Sequence, residues 1–343
     1  MPVSDDSRYL ALVEGFKNGP QLVVDLTTME GVQIAPDVTA GNARWTPGTH
    51  QLLYPRRLDY ETVQWTAWNA DGSPERLAGE SSLKSGWAGT SRISPDFGAI
   101  AYARNVDTQA NTADVFVFDV ASGEEYSVGT GVRDFQMQWS PSGDWLTYLT
   151  DYVDGQGALH VWSVDVGSQL VAEQVLTDFS QLVGVVFDAT GRWLTYTTGD
   201  CGETHALYVF DLALETHTLV SEHHVCQAGV FTGGGLIFFE PGPLSGAGEL
   251  VRYELDTHQK RHLGFAATTT MLSTPNGKVT VARDMHSYYQ YKTLVLAFDW
   301  VTGKRYTLLE GAGHSWARPV TNTHVAVIVS NSDGNSLHLL GLP

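Results

Sequence analysis

A tandem pattern is the strongest constraint on what this chain can fold into. An apolar or aromatic residue followed by a short polar turn recurs as Trp45-Thr-Pro-Gly48, Ile93-Ser-Pro-Asp-Phe-Gly98, Trp139-Ser-Pro-Ser-Gly143, Phe187-Asp-Ala-Thr-Gly191, Phe231-Thr-Gly-Gly-Gly235 and Leu272-Ser-Thr-Pro-Asn-Gly277. The steps between them are 48, 46, 48, 44 and 41 residues. At that period each unit is one supersecondary motif that must bury its apolar face against its neighbours. Behind each turn comes a short run such as WLTYLT ending at Thr150 or WLTYTT ending at Thr198. These runs are too short for helices and rich in β-branched and aromatic residues, so they read as strands. A further strand follows a variable polar loop, as in VFVFD ending at Asp119, LYVFD ending at Asp211 and LVLAFD ending at Asp299. A hydrophilic strand such as KRYTLL, ending at Leu309, closes the unit. Four strands with turn chemistry between them predict an antiparallel sheet of blade size.

Partial units occupy both ends of the chain. Residues 9–34 read as strands two to four of one unit and residues 317–342 as strands one to three of another. The expectation is therefore an all-β, single-domain β-propeller over residues 1–343, its ring closed by strands from the two termini. Eight blades are favoured, with seven and a surplus hairpin as the alternative. The repeat residues have a structural role in this reading. Trp45, Trp139 and Phe187 pack between blades, and Gly48, Gly98 and Gly143 supply turn conformations. Asp119, Asp165, Asp211 and Asp299 start turns by bonding their own backbone.

The pattern W-S-P-x-G, a strand, then V-x-D-x-x-[ST]-G resembles the TolB-type repeat, a relative of WD repeats found in many β-propellers. The resemblance covers nearly the whole chain. Phe231-Thr-Gly-Gly-Gly235 departs from it by lacking Pro, and Val320-Thr-Asn-Thr323 by lacking both Pro and Gly. It implies a propeller fold, and it leaves open binding modules, protease gates, lyases and scaffolds.

Charge narrows the partners. Lys plus Arg number 20 against 38 Asp plus Glu, a net charge of −18, which repels phosphate backbones and anionic lipid headgroups. Nucleic acid is excluded as a default partner. No run approaches the length of apolar chain that spans a bilayer, so membrane insertion is not expected. The start, MPVSDDSRYL, lacks the basic and apolar regions of a secretory signal; an extracytoplasmic location is favoured if such a signal has been removed. A monomer is expected.

Against this acidic background the arginines fall in a pattern. In a four-stranded antiparallel blade, the loop leading into the innermost strand lies at the same end as the loop between the second and third strands. Arg44, Arg92, Arg133 and Arg318 sit in the first kind of loop, and Arg56, Arg57, Arg104 and Arg283 at the ends of second strands. Guanidinium groups bind carboxylate or phosphate through two parallel hydrogen bonds, so this rim is a candidate anion site. The competing reading has each arginine paired with an acid such as Asp59, Asp107, Asp134 or Asp284. After Arg283, Tyr288 and Tyr289 in DMHSYYQYK offer rigid contact area with a polar tip, or else pack as a strand extension.

Other candidates share that rim. His205, His223, His224, His286 and His314 fall in its loops, and His223, His224, His286 and His314 are candidate metal ligands, although no HExxH, paired CxxC or His-x-His spacing occurs. No cofactor is expected; if a divalent metal binds, Ca, Mn or Zn is the class. Cys201 and Cys226 lie in adjacent loops and read as a disulfide, free thiols or metal ligands. Asp151, Asp154, Asp200 and Glu203 supply carboxylates for acid–base chemistry. The turn residues Asn331, Asp333 and Asn335 carry calcium-like oxygens, although the same residues make an ordinary hairpin turn.

There is no GxSxG elbow, phosphate loop or GxGxxG before a helix. The expected function is thus a non-catalytic recognition module for an anionic small molecule, a saccharide, a peptide or a protein. The resemblance also implies an alternative, since TolB-type propellers are similar to metal-dependent polysaccharide lyases acting on acidic sugars. In that case His223, His224, Gln227, His286 and His314 would be the ligand candidates, and Arg92 or Arg283 would hold the sugar carboxylate. A third reading is a scaffold or sensor domain of a larger protein.

Overall fold

The computed structural model describes residues 3–14, 18–39, 43–59, 61–72, 75–82, 92–110, 112–133, 137–176, 185–199, 205–224, 229–232, 234–241, 248–267, 270–273, 279–285, 292–299, 304–312, 314–331 and 334–342. Among them every regular element is a strand and every pairing is antiparallel. The chain divides into two compact units, Met1–Glu173 and Gln174–Pro343.

The first unit holds four repeats. The first has strands Tyr9–Val13, Asn18–Asp25 and Glu30–Thr39, and an isolated bridge from Val3 to Leu10 stands where the innermost strand falls in the others. The second has Arg44–Trp45, Gln51–Arg57, Thr62–Asn69 and Arg76–Ser82. The third has Arg92–Ile93, Ala99–Asp107, Thr112–Asp119 and Glu125–Arg133. The fourth has Gln138–Trp139, Leu146–Val153, Gln156–Ser163 and Gly167–Leu176.

The second unit repeats the scheme. Its fifth repeat has Val186–Phe187, Trp193–Thr198, His205–Asp211 and Thr216–His224. The sixth has Val230–Thr232, Gly235–Pro241, Gly248–Glu254 and Lys260–Ala267. The seventh has Thr270–Ser273, Val279–Met285, Lys292–Asp299 and Lys304–Ala312. The eighth has His314–Pro319, His324–Asn331 and Gly334–Gly341.

The core lies between sheets. Strand alternation sends every second side chain to one face, and the faces of adjacent repeats meet. Leu53, Trp65, Ala67 and Ala78 of the second repeat pack on Ile100, Tyr102 and Phe118 of the third. Leu53, Ile100 and Tyr102 are fully buried, each worth about 1.5–3 kcal/mol in area removed from water. Between the third and fourth repeats, Ala101, Val115 and Val132 meet Trp139, Leu146 and Tyr148. Two polar contacts cross the same junction: Trp139 Nε1 donates to the Arg92 carbonyl at 2.8 Å, and Tyr148 Oη donates to the Val128 carbonyl at 3.1 Å. In the second unit, Leu207, Val209 and Val220 of the fifth repeat pack on Leu236, Phe238 and Val251 of the sixth.

Trp45, Trp139 and Phe187 are buried as the pattern predicts. Two turn assignments are corrected. Gly48 and Gly143 are left-handed, with φ of 70° and 85°, but in the third repeat Phe97 takes that conformation at φ 62° and Gly98 does not. The turn backbone superposes on Ser140 and Trp145 through the bonds Ser94 N to Ala99 O and Ser140 N to Trp145 O, which align Phe97 with Gly143. The second correction concerns Asp165. Asp119 Oδ1 accepts the Ser122 amide at 2.6 Å and Asp211 Oδ1 the Ala213 amide at 2.9 Å. In the fourth repeat that position is Ser163, whose Oγ accepts the Val166 amide at 3.2 Å.

Candidate functional site

The ladder registers of the first unit place arginines at equivalent rungs of two neighbouring sheets. Arg44 pairs with Leu53 and Arg92 with Ala101, so both open an innermost strand at the same rung. Arg56 pairs with Gln64 near the end of its strand, and Arg133 with Thr112 at the end of the third repeat's outer strand. Arg44 and Arg92 thus sit two rungs from the turn between the first and second strands, not on the rim the sequence pattern assigns them, whereas Arg56 and Arg133 lie at the end where the second strand turns into the third. Backbone carbonyls orient several of these side chains. Arg44 Nη1 donates to Ala43 O at 2.8 Å, Arg57 Nε to Asp59 O at 2.8 Å and Arg133 Nη1 to Ala110 O at 3.0 Å.

Arg104 begins at the same end and is used differently. Its guanidinium lies over the Phe116 ring, 4.3 Å from the centroid, donates from Nε to the Glu80 carbonyl at 2.8 Å and forms an ion pair with Glu125. Tyr102 Oη also donates to Glu125, and the Gly79 amide of the second repeat donates to the same carboxylate oxygen at 3.1 Å. Gly79 is glycine for a local reason: a Cβ there would collide with the Arg104 guanidinium. Burial pushes the Glu125 carboxyl up, but hydrogen bonds from Tyr102 and Arg104, with the charge of Arg104, outweigh it and hold the pKa below the ordinary value. Arg104 therefore joins two repeats.

Asp151 and Asp154 lie where the second strand of the fourth repeat turns into the third, and the other candidates lie in the second unit. Arg283 pairs with Thr270 and Val295, Arg318 with Ala326 and His314 with Ser330. His224 pairs with His205, and His223 precedes it in the same strand. Tyr288, Tyr289, His286, Cys201, Cys226, Gln227, Asp200 and Glu203 lie outside the described residues. No group of three or more His, Cys, Asp or Glu side chains able to hold a metal occurs among the described residues.

At the opposite end of the third and fourth repeats is a cleft of about 380 Å³ whose lining includes Asp96, Asp119, Asp144, Asp165, Trp145 and Trp162. Reading the repeat Asp and Trp residues as structural punctuation hides it. The signal lies in the alignment of turns, where Gly143-Asp-Trp145 stands in the fourth repeat and Gly191-Arg-Trp193 in the fifth.

Comparison with known proteins bears on the fold. No family model matches the sequence, and no curated protein matches it. Among solved structures, dipeptidyl peptidase 4 from Porphyromonas gingivalis aligns over 98% of this chain and 57% of its own, with a TM-score of 0.57 and 12% identity. A prolyl endopeptidase aligns over 86% of this chain and 49% of its own, with a TM-score of 0.50 and 12% identity. TolB from Acinetobacter baumannii aligns over 89% of this chain and 81% of its own, with a TM-score of 0.38 and 12% identity. The chain has the β-propeller fold that its repeat implies. It spans about half the length of the two peptidases it matches.

Proposed function

We propose that this chain is a recognition propeller of eight blades, closed by strands near its two termini, that binds an anionic ligand or acidic peptide through its arginines. The observation that supports this reading is the equivalent placement of Arg44 and Arg92 on the innermost strands of adjacent repeats. Arg56 and Arg133 lie further along the same two sheets, towards the end where the second strand turns into the third, in a chain whose net charge is −18. Planar guanidinium groups take carboxylate or phosphate in paired hydrogen bonds, while the acidic remainder disfavours anions elsewhere. Arg283 and Arg318 do the same in the second unit, with Tyr288 and Tyr289 following Arg283 in sequence. Arg104 acts there by fixing the sheet junction beneath the site. Calorimetry with citrate at low ionic strength tests the reading. Saturable binding should weaken at least tenfold in the double variant Arg44→Ala, Arg92→Ala; an unchanged affinity, or no binding by the parent protein, would overturn it.

A further inference from the structure

Two repeats share one device at the turn end of their sheets, and the fourth keeps its ring without its cation. In the fifth repeat, Asp188 N bonds Trp193 O at 2.9 Å, and the residue before the tryptophan is Arg192. Its guanidinium lies 4.7 Å from the Trp193 ring centroid and pairs with Asp211 at 2.7 Å. The first repeat has the same arrangement. Ser4 N bonds Tyr9 O at 2.9 Å, Arg8 lies 4.9 Å from the Tyr9 centroid, and Arg8 pairs with Asp25 at 3.1 Å. Both acids sit directly across the ladder from the aromatic residue, at Tyr9–Asp25 and Trp193–Asp211. A cation covers the ring and a carboxylate neutralises the cation.

The fourth repeat keeps the turn and the ring, with Ser140 N bonding Trp145 O at 2.7 Å, but the residue before the ring is Asp144. The guanidinium is gone and its charge is reversed. Asp144 and the nearby Asp165 are exposed, and neither has a hydrogen bond or ion pair among the described residues. Across the cleft the third repeat adds Asp119 and Asp96, the latter with its carboxylate against Gly143. Tyr126 and Trp162 close the wall, their ring centroids 5.9 Å apart. Among the described residues, no lysine or arginine lines this space. In the neighbouring cleft between the second and third repeats, Arg76 Nη1 reaches across to the Val120 carbonyl at 3.0 Å. Arg76 pairs with Ala67 on its ladder as Tyr126 pairs with Val117, so a tyrosine stands where that cleft has its own cation.

We propose that this cleft binds a guanidinium group supplied from outside, seated on the Trp145 ring and held by Asp144 and Asp165, reproducing in trans the contact that Arg8 and Arg192 make in cis. A guanidinium suits the site because it is flat, stacks on an aromatic face and bonds a carboxylate through two parallel donors. The volume, about 380 Å³, falls in the range of small-ligand sites, roughly 300–1,000 Å³. Arg44, Arg56, Arg92 and Arg133 are not among the described residues that line this cleft, and the site does not depend on the anion-binding reading.

Calorimetry at low ionic strength tests it with two probes, free agmatine and the peptide acetyl-Gly-Arg-Gly-amide, and with the citrulline version of the peptide as a neutral control. At least one cationic probe should bind saturably while the control does not. Tighter binding of the peptide would assign the guanidinium to a partner's arginine side chain, and tighter binding of agmatine to a small molecule. Asp144→Asn should weaken binding at least tenfold. Asp144→Arg should abolish it by filling the cleft from within, while leaving citrate binding and the cooperative melt intact. Two results would overturn the proposal: neither cationic probe saturating at millimolar concentration, or Asp144→Arg binding as tightly as the parent.

Discussion

Arginine stands in two different settings in the second and third repeats, across the junction between their sheets and at the start of their innermost strands. Arg104 lies across an aromatic ring, pairs with a half-buried carboxylate and touches the backbone of the preceding repeat. Arg44 and Arg92 open the innermost strands of the same two repeats, one strand away. The difference teaches that an arginine's role is set by the space its neighbours leave. Gly79 removes a side chain from the path of Arg104, and Phe116 and Glu125 give it a surface and a counter-charge. Removing Arg104 leaves Glu125 without its charged partner, whereas Arg44 is an exposed residue at the start of its strand.

The contrast can be pressed hardest at the junction itself. Tyr102 is fully buried and bonds Glu125, so Tyr102→Ala should cost about 3–5 kcal/mol through lost packing and a lost hydrogen bond, read as a lower urea midpoint. Arg104→Ala should cost about 1–3 kcal/mol because it leaves a carboxylate underpaired. Gly79→Ala displaces the same guanidinium, so the double variant should lose less than the sum of the two. Full additivity would show that Gly79 does not make room for Arg104.

Acid should erase part of the junction's advantage. The folded-state pKa of Glu125 is lowered, so its contribution is present above the unfolded carboxyl pKa and lost as pH falls through the folded value. The stability gap between the parent and Glu125→Gln should therefore narrow from pH 7 toward pH 3, by less than about 1 kcal/mol at this partly exposed site. A gap that widens in acid would reverse the sign argued here. The smallest stability effect belongs to the start of the innermost strand. Arg44→Ala should shift the urea midpoint by no more than about 0.5 kcal/mol equivalent while weakening citrate binding.

Much of this was legible beforehand because its causes are local. Turn residues and two-residue alternation act within a few positions of themselves, so the tandem pattern predicted antiparallel sheets at the right places, with Trp45, Trp139 and Phe187 inside. The assignment of the left-handed turn residue to Gly98 failed because the glycine of the third repeat falls one residue later in an equivalent turn, and Phe97 takes the position that Gly143 holds in the fourth. Asp165 was read as a turn starter because it ends a strand-like run. The hydrogen-bonding position falls two residues earlier, at Ser163. The cleft was missed for a related reason, since the loss of the arginine at Asp144 carries meaning only once Arg8 and Arg192 are seen lying on their neighbouring rings.

By itself the sequence determined the repeat and the strands, because strand direction reverses at every turn and side chains alternate by fixed geometry. Only the tertiary structure decided which arginine is spent on packing and which acids lie unneutralised around a cleft. Those outcomes depend on the free volume and counter-charges that one repeat presents to the next, and on contacts between residues some twenty to fifty positions apart, as from Gly79 to Arg104 and from Asp96 to Gly143.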